Sequence, residues 1–158
     1  MFHRWAAPLL VLALCAMSPK TAAGQTQVQK PRGQSAGALG RNYPNPLNPE
    51  TFIPFAVDTT GGCSDGSRQH VVSLRIYNIL MQHVASGVLQ VAPNSTTNVP
   101  AEFIGRPLTN LRLGCGAYVA YWNGKVDANG KEAASGTYVI QLIVDGSTAG
   151  TIRIFVGK

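Results

Sequence analysis

The chain has 158 residues and a formal net charge of +6, and 45% of its residues are hydrophobic. This length and composition are enough for one domain with a real core. The basic residues are scattered and form no run, whereas a nucleic-acid-binding surface clusters them, so no nucleic-acid partner is expected.

Residues 1–24 have the three parts of a secretory signal peptide. Arg4 gives a basic start, residues 5–17 form an apolar run, and residues 21–24 are small enough for a signal peptidase. The run of about 13 residues is shorter than the ~20 needed to span a bilayer as a helix. We predict an exported bacterial protein of the periplasm, cell surface or extracellular space that begins at Gln25. A lipoprotein signal at Cys15 and an uncleaved anchor are the alternatives.

Residues 25–40 are rich in Gln, Gly, Ser and Ala, with few large apolar side chains. Such a segment buries too little surface to offset the entropy of ordering it. We predict a flexible tether over residues 25–40, followed by a single domain over residues 41–158.

From Thr51 onward, apolar residues alternate in twos, the period of a half-buried strand. Ile53, Phe55 and Val57 share one predicted face. The pattern predicts strands that begin at Thr51 and near Val72, and then over residues 82–89, 97–104, 117–122, 137–144 and 148–156. Asp145-Gly146 predicts a tight hairpin between the last two. About seven short strands predict an all-β Greek-key sandwich. A closed barrel is the alternative, since alternation cannot distinguish the two.

Five motifs follow one another in residues 41–158. They are Asn42-Tyr43-Pro44-Asn45-Pro46-Leu47-Asn48-Pro49, Tyr77-Asn78, Trp122-Asn123-Gly124, Asp127-Ala128-Asn129-Gly130 and Ala134-Ser135-Gly136-Thr137-Tyr138. Their order resembles that of the immunoglobulin-like domain of flagellar hook-capping proteins and of the type A C-terminal sorting domain of type IX secretion. The resemblance implies an immunoglobulin-like fold and recognition by a protein partner such as a secretion translocon.

The motif residues have a structural interpretation. The prolines fix φ and cannot donate hydrogen bonds, which predicts a stiff edge segment before the first strand. Trp122 is expected to fill the core. Gly124, Gly130 and Gly136 are expected in turns whose backbone disfavours a side chain.

The sequence offers no convincing catalytic constellation. Residues 62–66 fit the G-x-S-x-G expression of hydrolases, but that motif needs a strand before it and a helix after it. Residues 127–132 resemble a calcium loop only loosely, and an Asx-closed turn is the preferred interpretation. His70 and His83 lack ligand-spaced partners. We therefore predict a domain without enzymatic activity, with no catalytic residue, cofactor, metal or small-molecule substrate.

Removal of the leader would leave two cysteines, Cys63 and Cys115, both in segments that look longer than the family norm. An even count in an exported chain predicts a disulfide between them. Two unpaired thiols, or one reserved for an intermolecular bond, are the alternatives.

Two functions remain open. The first is an exported immunoglobulin-like module for cell-surface attachment, sorting or protein–protein interaction. The second is a periplasmic accessory subunit that stabilises a larger membrane-associated complex. Exposed Tyr and Phe side chains on an edge sheet would serve either function.

Overall fold

The computed structural model describes residues 36–58, 67–91, 99–126 and 130–157. These residues form eleven strands and one short 3-10 helix, Ala101–Phe103. The strands are β1 Gly37–Leu39, β2 Thr51–Val57, β3 Gln69–Asn78, β4 His83–Ser86, β5 Val88–Gln90, β6 Leu111–Gly114, β7 Gly116–Trp122, β8 Lys125–Val126, β9 Lys131–Glu132, β10 Gly136–Val144 and β11 Ser147–Val156.

The strands form two main antiparallel sheets and a small β8–β9 hairpin. The first sheet has the order β1-β2-β7-β5. The second has the order β11-β10-β3, and the free side of β3 is shared by β6 at its start and β4 at its end. The predicted all-β class is therefore confirmed.

Alternating apolar residues build one core from both sheets. Ile53, Phe55 and Val57 of β2 are buried, as the alternation predicts. Leu74 and Ile76 of β3 are fully buried and belong to the same cluster. Each such side chain contributes roughly 1.5–3 kcal/mol on burial. Two sheets that share one core are consistent with a β-sandwich.

The strand predicted over residues 82–89 is two strands in different sheets. β4 pairs with β3 in the second sheet, and β5 pairs with β7 in the first. Between them, Gly87 N–H donates to Leu74 O at 3.0 Å, and Gly87 O accepts from Leu108 N–H at 2.7 Å. A Cβ on Gly87 would lie 2.7 Å from Leu74 Cδ2, so the chain crosses between the sheets where it has no side chain.

The strand predicted over residues 97–104 is wrong where the structure describes it. Residues 99–105 contain the 3-10 helix and a turn, with Phe103 N–H bonded to Pro100 O at 2.9 Å. The next strand after this segment is β6, which was not predicted and which pairs with the start of β3. Its four residues give too short an alternation to stand out in the sequence.

β1 lies inside the segment predicted as a tether. Ala38 pairs with Ala56 of β2, and Asp58 N–H donates to Ala36 O at 2.6 Å. Strand structure therefore begins by Gly37, ahead of the predicted domain start at Arg41. The rest of the predicted tether, up to residue 35, lies outside the described residues, as does the predicted signal peptide.

Candidate functional site

Three consecutive large apolar residues are exposed in the turn between β3 and β4. Ile79 is 74% exposed, Leu80 is 76% exposed and Met81 is 55% exposed. We call these three residues the apolar turn. Single exposed apolar residues are normal on a protein surface, but a contiguous group marks a candidate interaction site.

Asn78 fixes the backbone of the apolar turn. Its Oδ1 accepts hydrogen bonds from the N–H groups of Leu80 and Gln82, both at 3.0 Å, and its Nδ2 donates to Gln82 Oε1 at 2.8 Å. Met81 adopts φ +58°, and its N–H donates to Asn78 O at 2.9 Å. The apolar side chains are therefore presented on an ordered scaffold, which lowers the entropy lost on binding.

The outer face of the second sheet, next to the apolar turn, is basic. Arg75, Arg112 and Arg153 lie at strand positions opposite the buried ones. The structure describes five acidic residues, and none of them lies in a strand of the second sheet. Tyr77 also faces outward, and its ring meets that of His83 edge-on at 5.8 Å between centroids. We call this surface the basic face.

The segment of residues 42–49, which we call the proline motif, contacts both sheets. Asn42 Nδ2 and Thr51 Oγ1 both donate to Pro44 O, at 3.1 and 2.9 Å, and Tyr43 stacks on Phe52 at 5.7 Å between centroids. Asn45 Oδ1 accepts from Phe155 N–H of β11 at 3.3 Å. The segment, which includes Pro46, therefore contacts an edge of each sheet, and its predicted stiffness stays a prediction.

Trp122 is buried at 2% exposure, as predicted, and contacts Tyr138 of the other sheet at 5.5 Å between ring centroids. Its Nε1 donates to Lys125 O at 2.8 Å. Tyr138 Oη donates to Ala134 O at 3.1 Å. The aromatic motif residues therefore form a joint between the two sheets.

The three motif glycines all have positive φ, but only Gly124 and Gly130 lie in a bend or turn as predicted, because Gly136 is the first residue of β10. The values are 70° at Gly124, 68° at Gly130 and 151° at Gly136. Gly124 is also closely packed, because a Cβ there would lie 2.2 Å from Pro49 O. A side chain at Gly124 would therefore push away the proline motif.

A histidine–carboxylate cluster lies at the opposite end of β3 from the apolar turn. His70 is 1% exposed, and its Nδ1 lies 2.6 Å from Asp145 Oδ2. Its Nε2 lies 3.6 Å from Asp58 Oδ2, which in turn lies 3.8 Å from Arg68 Nη1. The sequence analysis missed this cluster. His70 and Asp145 are 75 residues apart, so no local sequence pattern joins them. In the sequence, Asp145 next to Gly146 indicates a hairpin turn and nothing more.

The environment of Asp145 lowers the pKa of its carboxyl group. Desolvation alone raises that pKa, but hydrogen bonds from His70 and from the N–H of Val71, with the charges of His70 and Arg68, outweigh it. An ionised carboxylate only accepts hydrogen bonds, so the contact with His70 puts a proton on Nδ1. The arrangement holds β3 to the β10–β11 turn.

The predicted disulfide can be placed only in part. Cys115 Sγ lies 3.3 Å from the backbone oxygen of Asp58, five residues before Cys63 in the sequence. Cys63 itself lies outside the described residues, so the pairing stays a prediction. The G-x-S-x-G segment at residues 62–66 and the aspartate and asparagine of residues 127–129 also lie outside them.

Within the described ranges, no group of three or more His, Cys, Asp or Glu side chains is arranged to hold a metal ion. The described residues likewise include no helix with the length and hydrophobicity needed to cross a membrane.

No protein-family model and no curated protein matches the chain. The chain is similar to a solved structure of the Pseudomonas fluorescens alkylpurine DNA glycosylase AlkC bound to DNA containing an abasic site analog. The TM-score is 0.44 and the identity is 14%, over 79% of this chain and 31% of that one.

That structure belongs to an enzyme, and we do not maintain the prediction of a domain without enzymatic activity. At this TM-score and identity, the similarity supports no transfer of an activity or a substrate to this chain.

Proposed function

We propose that this chain is an exported module of immunoglobulin-like, Greek-key topology that binds a protein partner through the apolar turn. The observation that carries the proposal is the exposure of Ile79, Leu80 and Met81 on a turn fixed by Asn78. In many protein interfaces, a few ordered apolar side chains fill a pocket on the partner and supply most of the binding energy. The apolar turn has the exposure and order that this role requires. The motif order shared with sorting and hook-capping domains supports the same class of function.

The apolar turn needs neighbouring contacts to form a stable complex. Full burial of its three side chains would contribute roughly 1.5–3 kcal/mol each. Association costs about 4–15 kcal/mol in lost freedom. The basic face adjoins the turn and offers Arg75 and Tyr77, residue types that are common at interfaces. We propose that the partner covers the turn and part of this face.

Photo-cross-linking in the source bacterium tests the proposal. A photoreactive amino acid replaces Leu80, and the control places it at Ser147, the exposed first residue of β11 at the other end of the sheet. We expect a discrete protein adduct from position 80 and none from position 147. Adducts to lipid alone, or equal labelling at both positions, would refute the proposal.

A second experiment decides between the two roles. The native protein is extracted in mild detergent and compared with the double variant Ile79→Ser/Leu80→Ser. Co-purification of the native protein with a membrane complex, lost in the variant, supports the accessory subunit. Recovery at the cell surface with a shortened C-terminus supports attachment or sorting. Both side chains are exposed, so the variant should keep its unfolding midpoint.

A further inference from the structure

β11 is a ten-residue strand at the edge of the second sheet, and β10 pairs with it along one side. Edge strands present unpaired N–H and C=O groups to any extended chain that reaches them, and most proteins cover or shorten such edges. Other segments of this chain contact the two ends of the β11 edge, and the middle of the edge stays open.

The two ends of the β11 edge are covered by the chain itself. Phe155 N–H donates to Asn45 Oδ1, and Phe155 O accepts from Leu47 N–H at 2.9 Å. Leu47 also forms a parallel bridge with Val156. At the other end, a Cβ on Gly150 would lie 2.6 Å from Leu39 Cβ, so β1 packs closely against the face of β11 there.

Residues 151–154 lie between these two covers. Because the N–H and C=O of Phe155 point away from β10, the alternation of an antiparallel pair makes those of Thr151 and Arg153 point away too. Within the described parts of the chain, nothing hydrogen-bonds to these outward groups. Thr151 and Arg153 are exposed, so four backbone groups are available to an added strand.

The side chains around residues 151–154 set the character of the added strand. Ile152 is half-buried against the core cluster and favours an apolar residue in the incoming strand. Arg153 points to the outer face, where no described acidic residue lies, and favours a carboxylate. The incoming strand should therefore alternate apolar residues with a polar set that includes Asp or Glu.

We propose that residues 151–154 form a strand-addition site for an extended segment of another protein that carries an acidic residue opposite Arg153. A second copy of this chain fits less well. Antiparallel pairing of two β11 edges would place the two Arg153 side chains opposite or diagonal to each other on one face, and like charges there are destabilising. This site is independent of the apolar turn and adds a second contact region to the proposed function.

Two acetylated and amidated heptapeptides serve as probes, Ser-Thr-Val-Glu-Val-Thr-Ser and the same peptide with Lys in place of Glu. Amide chemical shifts of the whole domain are followed by NMR during titration. We expect shifts concentrated at Thr151, Arg153 and their neighbours, with the Glu peptide binding about threefold or more tighter. Shifts spread over the surface, or equal affinity for both peptides, would overturn the proposal.

Three variants sharpen the titration. Arg153→Glu should reverse the preference between the two peptides. Arg153→Pro removes one outward N–H and no bond to β10, so the domain should fold and bind neither peptide. The control Arg75→Ala removes an arginine of the same face away from the edge and should change neither affinity. If Arg153→Pro fails to fold, the charge reversal still decides the outcome.

Self-association gives a further outcome. If sedimentation shows a concentration-dependent dimer that Arg153→Pro abolishes, the edge pairs with a second copy and the proposal of a different partner is wrong. A monomer that binds the Glu peptide supports the proposal.

Discussion

Asp145 connects two distant parts of the chain through a single carboxylate. It accepts hydrogen bonds from the ring of His70 and, at 2.8 Å, from the N–H of Val71. These bonds stabilise the ionised form and keep its pKa below the ordinary value of 3.8. Because the folded-state pKa is the lower one, the stabilisation is present above the unfolded pKa and is lost as the pH falls through the folded pKa.

Asp145→Asn should therefore lower stability at neutral pH and flatten its acid dependence. Hydrogen bonds to a charged group contribute about 1.5–3 kcal/mol, and the side chain is 50% exposed, so we expect a loss of about 1 kcal/mol. Urea unfolding from pH 6 down to pH 2 measures the difference. It should shrink as the pH falls below about 4, and a constant difference would contradict this assignment.

A second residue-scale prediction compares two glycines with similar backbone angles. Gly124 has φ 70° and Gly146 has φ 78°, so alanine at either position meets the same left-handed strain of about 1–2 kcal/mol. Only at Gly124 would the added Cβ also meet a neighbour, 2.2 Å away. Gly124→Ala should lower the unfolding free energy by several kcal/mol and Gly146→Ala by about 1–2 kcal/mol. Equal losses in urea unfolding would show that the proline motif yields easily.

At the scale of elements, β2, β3, β10 and β11 were predictable from the sequence. Each buries one face, so period two appears directly in its residues. β4 and β5 were merged in the prediction, because alternation reports burial and carries no information on which sheet a strand joins.

The histidine–carboxylate cluster was not predictable for a related reason. Asp145 reaches His70 only because β10 lies beside β3, and no local pattern encodes that neighbour. The exposure of the apolar turn was not predicted either. The resemblance implies a turn between Tyr77-Asn78 and Gln82, but it does not show that Ile79, Leu80 and Met81 would all lie in solvent.

A disulfide between Cys63 and Cys115 should join the segment that follows β2 to the residue between β6 and β7. The two residues are 52 positions apart, for which the chain-entropy model gives about 4 kcal/mol of stabilisation. Mass spectrometry after alkylation of the unreduced, denatured protein should find neither cysteine modified. Labelling of both cysteines, or a covalent dimer, would exclude the intramolecular bond.

At the scale of the whole molecule, stability depends on the joint between the sheets at Trp122. Replacing a core Trp with Ala typically costs about 3–5 kcal/mol, a large part of the 5–15 kcal/mol that stabilises a typical domain. Trp122→Ala also removes the partner of Lys125 O and the ring contact with Tyr138. We expect a large drop in the thermal midpoint or loss of cooperative unfolding. Tyr121→Ala, a partly exposed neighbour, is the control and should have a smaller effect.

The position of β3 between β10 and the β4–β6 edge also determines the order in which the domain can fold. β3 ends at Asn78, and its partner β10 begins at Gly136, so a long loop must close before the central pair of the second sheet exists. Loops of this kind make folding slow, because their entropy is lost before their contacts form. Until the β10–β11 hairpin pairs with β3, Leu74 and Ile76 lack their cross-strand neighbours Leu142 and Ile140, so part of the future core stays exposed during folding.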